Sequence, residues 1–512
     1  MSARAGRLVR GVRLAALALG AGAAACGEPP PAAAPQPHAS AAPPAAGSAA
    51  TVASAVDRTR LPEPGPTPEW APPPVESYSL PNGIRVLHSR QGSTPLVALA
   101  LVVTHGSATD PRGKSGLTEL MVSLLDEGAG ARSALDVSRE LRDRAIDYGV
   151  SVEVDHATLW MTLLADAFGE AATLLADFAR RPRFEDADVT RVRDEGVAAA
   201  MKREAEPTSG RSAALRRALF GGGYAGELPS GSQASLKRLR RADVKAQHAA
   251  VFAPDSVALV VVGRVERAEV ERALGAAFGD WTGKASAAAQ TVEAPGSPAL
   301  HVVDYPGGTQ ASVAVARRAP PDGSDEHFPA LVFNRAFGES FTGRINLNLR
   351  EDKGWTYGAR GQFRRFRAAG LYAIAAGVKT EHTWDSVREI EKELAGLCAD
   401  APFRQIERDE AVEGLLLGYP SEFETVGAVA GTLALVPALG RSPTWVTDWP
   451  RRVGAVTLEQ ATQASQAYCD ASRYDVVVAG DWKALEPTAP ASRPVVLHAR
   501  DGAVLRTLAP RR

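Results

Sequence analysis

Neither sign of charge is in excess in this 512-residue chain: 58 Lys and Arg stand against 59 Asp and Glu, a formal net charge of -1. Nucleic-acid binding needs a basic footprint, so the balance excludes nucleic-acid partners and electrostatic adhesion to an anionic membrane. Cysteine is scarce as well. It occurs at 26, 398 and 469 only, too few for a disulfide framework and never as CxxC. Cys398 and Cys469 either form one disulfide in an oxidising envelope or remain two half-buried thiols. Apolar runs of the ~20 residues that cross a bilayer are missing. Histidines lie at 38, 88, 105, 156, 248, 301, 327, 382 and 498, with no HxxxH pair among them. That scatter removes the commonest local arrangement for a catalytic zinc.

What is present begins with a leader. MSARAGRLVRGVR, rich in arginine and free of acid, precedes the apolar run Leu14 to Ala25, which ends in small residues at Cys26. This is the pattern of a signal peptide over residues 1–26. AAAC followed by Gly27 resembles the lipobox of bacterial lipoproteins, with Ala23 where that pattern prefers Leu. Cys26 is then the expected lipidation site, the lipid anchor the only membrane attachment, and the cell envelope, periplasm-facing or surface-exposed, the expected location. A plain Ala-x-Ala cleavage would instead release a soluble form. Residues 27–75, dominated by Ala, Pro and Ser, lack the bulky side chains of a core and read as a disordered linker.

The remainder has globular composition, with 45% hydrophobic and 23% charged residues over the chain. SLPNGIRVLHSR reads as a hairpin around Pro-Asn-Gly, followed by the strand PLVALALVVTHGS. Leu117, Leu120, Met121, Leu124 and Leu125 then recur at helical spacing up to Gly128. Further helices are expected over 132–147, 166–181 and 185–203, and the half closes on the strand SVALVVVGRV. After the low-complexity stretch 283–298 the order returns: strands LHVVDY and ASVAVARRA, helices, and the closing strand YDVVVAGDW. The expected fold class is α+β, in two homologous domains over 76–282 and 299–488, each a mainly antiparallel sheet with helices packed on it, and a tail over 489–512.

LPNGIRVL, GSATDPRGKSGLTEL, YAGELPSGSQASLKRL, APDSVALVVVG and SFTGRINLNLREDKGWTYGARG follow one another in this order. Over roughly residues 76 to 485 the set resembles the two-domain insulinase/pitrilysin-like metallopeptidases. In that family HxxEH puts two imidazoles one turn apart on a helix to bind zinc, and the glutamate between them activates the metal-bound water. Here the matching stretch is Glu119-Leu120-Met121-Val122-Ser123. Both histidine positions are replaced, by Glu119 and Ser123, and the base position holds Val122. The family's third ligand, a glutamate on a later helix, falls at Ala199. The resemblance therefore implies that this chain binds no cofactor of its own. Water with neither metal nor base to activate it does not attack a peptide at a useful rate.

The second motif of the family is intact. Arg350 and Tyr357 in LREDKGWTY match the pair that reaches the active site from the opposite half of the enclosure. A phenol can donate to a developing oxyanion, and a guanidinium can hold substrate carbonyls or carboxylates. The resemblance implies a non-catalytic subunit that lends these groups, and half of a substrate chamber, to a homologous subunit carrying the zinc. The substrate would be an unfolded peptide. The competing readings are an envelope scaffold, a peptide-capturing module, and a structural pair in which Arg350 makes an ion pair while Tyr357 packs on a sheet. The turn from Phe337 to Arg344 either borders substrate or simply opens a helix. GGGY at 221–224 lacks the Gly-Lys-Ser/Thr of a phosphate loop and reads as a turn.

Overall fold

The computed structural model describes residue 65 and residues 70–509. The expected signal peptide, Cys26 and nearly all of the linker lie outside the described residues. Two α+β halves follow, each a sheet with helices packed on it. In the first, β1 (Glu76–Ser79), β2 (Arg85–Arg90), β3 (Leu96–Val103), β4 (Asp147–Val152), β5 (Ala157–Leu164) and β6 (Val257–Gly263) form one sheet in the order β1-β2-β6-β3-β5-β4. In the second, β7 (Leu300–Asp304), β8 (Gln310–Ala319), β9 (Thr356–Arg365), β10 (Gly370–Lys379), β11 (Asp475–Gly480), β12 (Val495–His498) and β13 (Val504–Leu508) are ordered β9-β10-β8-β11-β7-β12-β13.

Setting aside β1 at one edge and β12-β13 at the other, both halves share one topology. The opening strand lies parallel to the closing strand, as β2 to β6 and β7 to β11. The closing strand pairs with the second, the second with the fourth and the fourth with the third, all antiparallel. The echo of VALVVVG in DVVVAG is thus a repeat of position as well as of composition. Both strands are buried along their whole length, as strands covered on two faces must be.

One face of each sheet carries helices of its own half, including Phe168–Arg180 and Arg267–Phe278 in the first and Thr383–Gly396 in the second. The other face is covered from the opposite half. Helix Val426–Ala438, apolar on nearly every side, lies across β3 and β6, where Val429, Leu433 and Val436 meet Leu87, Val102, Val260 and Val262. Reciprocally, helix Pro207–Phe220 lies across β7, β8 and β11, where Leu215, Leu219 and Phe220 meet Val303, Ala316 and Val477. Each fully buried Leu contributes ~2 kcal/mol or more of transfer free energy, so the exchange couples the two cores strongly. Arg367, in the β9-β10 turn, pins the same seam: its guanidinium donates to the carbonyls of Thr104 and Asp155, each at 2.6 Å, and of Ala438 at 3.0 Å.

The structure departs from expectation at two places and adds detail at two others. The helix expected from Leu117 to Leu125 ends at Val122, and the chain continues to Glu127 through tighter i to i−3 hydrogen bonds. Residues 489–512, expected as a tail, supply β12 and β13, because β7 offers a free parallel edge. His498 adds a side-chain tie there, 2.9 Å from His301, which is itself 3.0 Å from Asp475. The stretch 283–298 has no helix or strand but is fastened along its length, with Gln290 N donating to Ala108 O at 2.7 Å and Glu293 paired with Arg112 at 2.6 Å. Of the two options for the late cysteines the structure has the disulfide, with Cα atoms 5.9 Å apart.

Candidate functional site

The helix Leu117–Val122 is started by Asp110. Its buried carboxylate accepts from the backbone N–H of Gly116 at 2.9 Å, Leu117 at 3.1 Å and Thr118 at 2.9 Å, and from the Thr118 hydroxyl at 2.6 Å. These are the N–H groups a helix start leaves without partners. Gly116 adopts φ 89°, and a Cβ there would strike Leu236 and Gly231, so only glycine admits the turn. Gln247 clasps the arrangement by donating to Thr109 and Thr118. Burial pushes the Asp110 carboxyl up to about 7 against the lowering pull of its donors, and burial beside Glu127 does the same to Asp126.

The frame of a zinc helix is therefore kept while its donors are gone. Val122, at the base position, is fully buried in the first core. Ser123 is the half-buried C-cap, Glu119 is half-buried, and Ala199 is exposed on helix Asp186–Glu204. One carboxylate, one hydroxyl and two alkyl groups do not make the three-ligand set that a catalytic zinc requires. Among the described residues no group of three His, Cys, Asp or Glu side chains is placed to hold a metal ion. The residues present do not fit the metal.

Arg350 and Tyr357 stand in separate surroundings, in the second half. Two π turns, Arg335–Glu339 and Leu347–Asp352, flank the Phe341 turn, and Arg350 sits inside the second. Such turns are rare and concentrate where a side chain must be re-aimed. The Arg350 guanidinium lies over the Phe341 ring at 4.4 Å and 3.3 Å from its neighbour Glu351. Tyr357, second residue of the edge strand β9, lies within a bulge: Thr356 pairs with Val378, but pairing resumes only at Ala359 with Ala376. The bulge turns Tyr357 out to 92% exposure. Its phenol makes no hydrogen bond among the described residues. Tyr357 does not pack on a sheet, and the ion pair of Arg350 is local and solvent-facing.

Asn346 holds these pieces together, a role the sequence did not disclose. Its Oδ1 accepts from Ala359 N at 3.1 Å, just past the bulge, and its Nδ2 donates to Phe341 O at 2.7 Å. Asn348 reaches the other way, donating to Glu389 and Glu393 at 3.0 and 2.7 Å. Within the Phe337 to Arg344 segment, Ser340 and Thr342 bond each other, and Gly343 rather than a hydroxyl side chain caps the short helix Arg344–Asn346. GGGY is a structural turn with Glu293 against it, a carboxylate that would repel phosphate.

Fold and site together define a duplicated peptidase-type chain whose own metal centre has lost its ligands. Comparison agrees: residues 85–223 match the family model described as insulinase (peptidase family M16), and residues 238–415 match the one described as the peptidase M16 inactive domain. The chain belongs to the insulinase-like M16 family, as a member without the catalytic motif. It is 22% identical over 326 residues to the uncharacterized zinc protease Rv2782c of Mycobacterium tuberculosis, covering 63% of this chain and 74% of that one. Over 180 residues it is also 22% identical to the non-peptidase homolog YmxG of Helicobacter pylori, 35% of this chain and 42% of that one. A solved peptidase M16 inactive domain from Pseudomonas fluorescens superposes with a TM-score of 0.73 at 21% identity, covering 80% of this chain and 98% of that structure. A protease structure from Helicobacter pylori gives 0.73 at 16% identity, covering 80% and 99%.

Proposed function

We propose that this chain is the non-catalytic subunit of a two-chain zinc peptidase. It lends Arg350 and Tyr357, and one wall of a chamber for unfolded peptides, to a homologous subunit that carries the zinc. One observation carries the reading: in a chain whose zinc helix has lost its ligands, the Tyr357 phenol stands 92% exposed at a strand bulge, and the ring-stacked Arg350 guanidinium sits on a π turn seven residues before it. Irregular backbone of this kind costs stability and persists where the aim of a side chain matters. The phenol would donate to the oxyanion of a peptide held against the partner's zinc, and the guanidinium would hold the substrate backbone. Cys26, lipidated, would tether the assembly in the bacterial envelope through the Ala/Pro-rich stretch that follows it.

The test is purification of the full chain from its own cells, with identification of stoichiometric partners, zinc analysis and a peptide-cleavage assay. A zinc-bearing relative should co-purify, and Tyr357→Phe should lower the cleavage rate about 100-fold, the cost of an oxyanion donor. A chain recovered alone, metal-free and inert would sink the split-site reading and leave the scaffold or peptide-capture readings. Cys26→Ser should move the protein from the membrane to the soluble fraction, and unchanged membrane association would refute the lipid anchor.

A further inference from the structure

We infer a second binding site, for a small carboxylate bearing an apolar group, at the opposite end of β9 from Tyr357. A cavity of about 200 Å³ opens there, lined by Asp322, His327, Leu331, Phe363, Arg365 and Arg441. Arg365 ends the strand, its side chain only 7% exposed and its guanidinium lying over the Phe363 ring at 4.6 Å. Nη1 donates to Pro320 O at 3.3 Å and lies 3.6 Å from Glu326, a carboxylate that also accepts from the Tyr468 hydroxyl at 2.6 Å. Nη2 is buried without a hydrogen-bond partner, while Nδ1 of His327 faces the Asp322 carboxylate at 3.6 Å. Buried donors are almost always satisfied, so the partnerless guanidinium nitrogen of Arg365 beside this cavity points to a missing acceptor.

The electrostatics select the charge of that acceptor. Asp322 is taken by Arg441 through two 2.8 Å hydrogen bonds, and Glu326 is shared between Arg365 and Tyr468. Glu326 reaches Arg365 only at 3.6 Å and is bonded by the Tyr468 hydroxyl at 2.6 Å, so the Arg365 guanidinium lacks a close carboxylate, which a monocarboxylate in the cavity supplies. Leu331 and Phe363 supply an apolar wall. A cavity of roughly 150 Å³ accommodates benzene, so this one has room for a carboxylate with a branched or aromatic group attached. Either a free small acid or the C-terminal carboxylate of a peptide ending in an apolar residue presents that chemistry.

The inference does not depend on the partner-subunit reading, and neither does its test. The full chain is titrated calorimetrically with N-acetyl-leucine, its uncharged amide, and a hexapeptide ending in leucine as free acid and as amide. Each acid that binds should bind about tenfold or more tightly than its amide, as a guanidinium-carboxylate fork demands. Arg365→Lys, which keeps the charge and loses the fork, should weaken the acid about tenfold. Leu331→Trp, which fills the cavity, should abolish binding, with thermal melts confirming that both variants fold. Tighter binding of the peptide acid assigns the site to chain termini; binding of N-acetyl-leucine alone assigns it to free acids. Equal binding of acids and amides, absence of binding to the wild-type chain, or an unchanged affinity in both variants would overturn the assignment.

Discussion

Leu433→Ala puts the reciprocal helix exchange to a quantitative test. Leu433 belongs by sequence to the second half but is fully buried against the sheet of the first, among Leu87, Ala100, Val102 and Val260. Truncating a buried leucine costs about 3 kcal/mol, the lost transfer term plus the cavity left behind. Leu394 is equally buried, on helix Thr383–Gly396, but packs within the core of its own half. Leu394→Ala is therefore the matched control for loss of volume. In native-state hydrogen exchange, Leu433→Ala should speed exchange of β3 and β6 about a hundredfold, in keeping with ~3 kcal/mol of local destabilisation. Leu394→Ala should act first on β8 and β10. If Leu433→Ala left β3 and β6 protected and loosened only residues beyond 400, the helix would not be a structural part of the first half and the argument would fail. Leu219→Ala, on the helix exchanged in the other direction, should loosen β8 and β11 in the same way.

Further predictions concern pH, the disulfide and the helix start. Burial presses His156, His248, His327 and His498 down to about 4, so on acidification below about 6.5 the unfolded chain takes up four protons that the folded chain refuses. Asp110 and Asp126, raised to about 7, oppose this by holding two protons in the folded chain that unfolded carboxyls have released. His88 and His105, also lowered by burial, add to the uptake on the unfolded side, so stability falls as pH drops from 6.5 towards 4, checked by denaturant titration at fixed pH values; a flat profile would refute the assignment. Reduction, or Cys398→Ser with Cys469→Ser, should cost about 2–4 kcal/mol because a crosslink spanning 71 residues is lost. Asp110→Ala strands several buried N–H groups and should cost about 2–4 kcal/mol, read as a fall in the urea midpoint.

The duplication and the loss of the zinc ligands were legible in the sequence for physical reasons. VALVVVG and DVVVAG are apolar on both faces, which only a doubly covered strand tolerates, and helical spacing fixes which residues share the face that HxxEH would occupy. Strands β9 and β10 escaped notice. TYGARGQFRR is rich in arginine and glycine because it is an edge strand, and the alanines of its partner GLYAIAAGVK carry little periodic contrast. Strand β5 does alternate, with Leu159, Met161 and Leu163 inward, but Trp160 on its other face blurs the contrast, and β4 carries too few apolar residues to show any. The motif placed Arg350 and Tyr357 in register, but the π turn and bulge that aim them rest on distant bonds from Asn346 and Asn348. No local pattern announces those bonds. The partnerless nitrogen of Arg365 shows itself only in three dimensions.

The exchanged helices also bear on how the chain is made. β6 completes the first sheet at Gly263, but the helix that covers its outer face ends at Ala438, about 175 residues later. At a synthesis rate of about 5–20 residues per second, an apolar sheet face therefore waits some ten to thirty seconds for its lid. The first half cannot finish folding as a unit while the second is still being made. A chain truncated after the first half would keep that face bare and would depend on a holding chaperone to stay in solution.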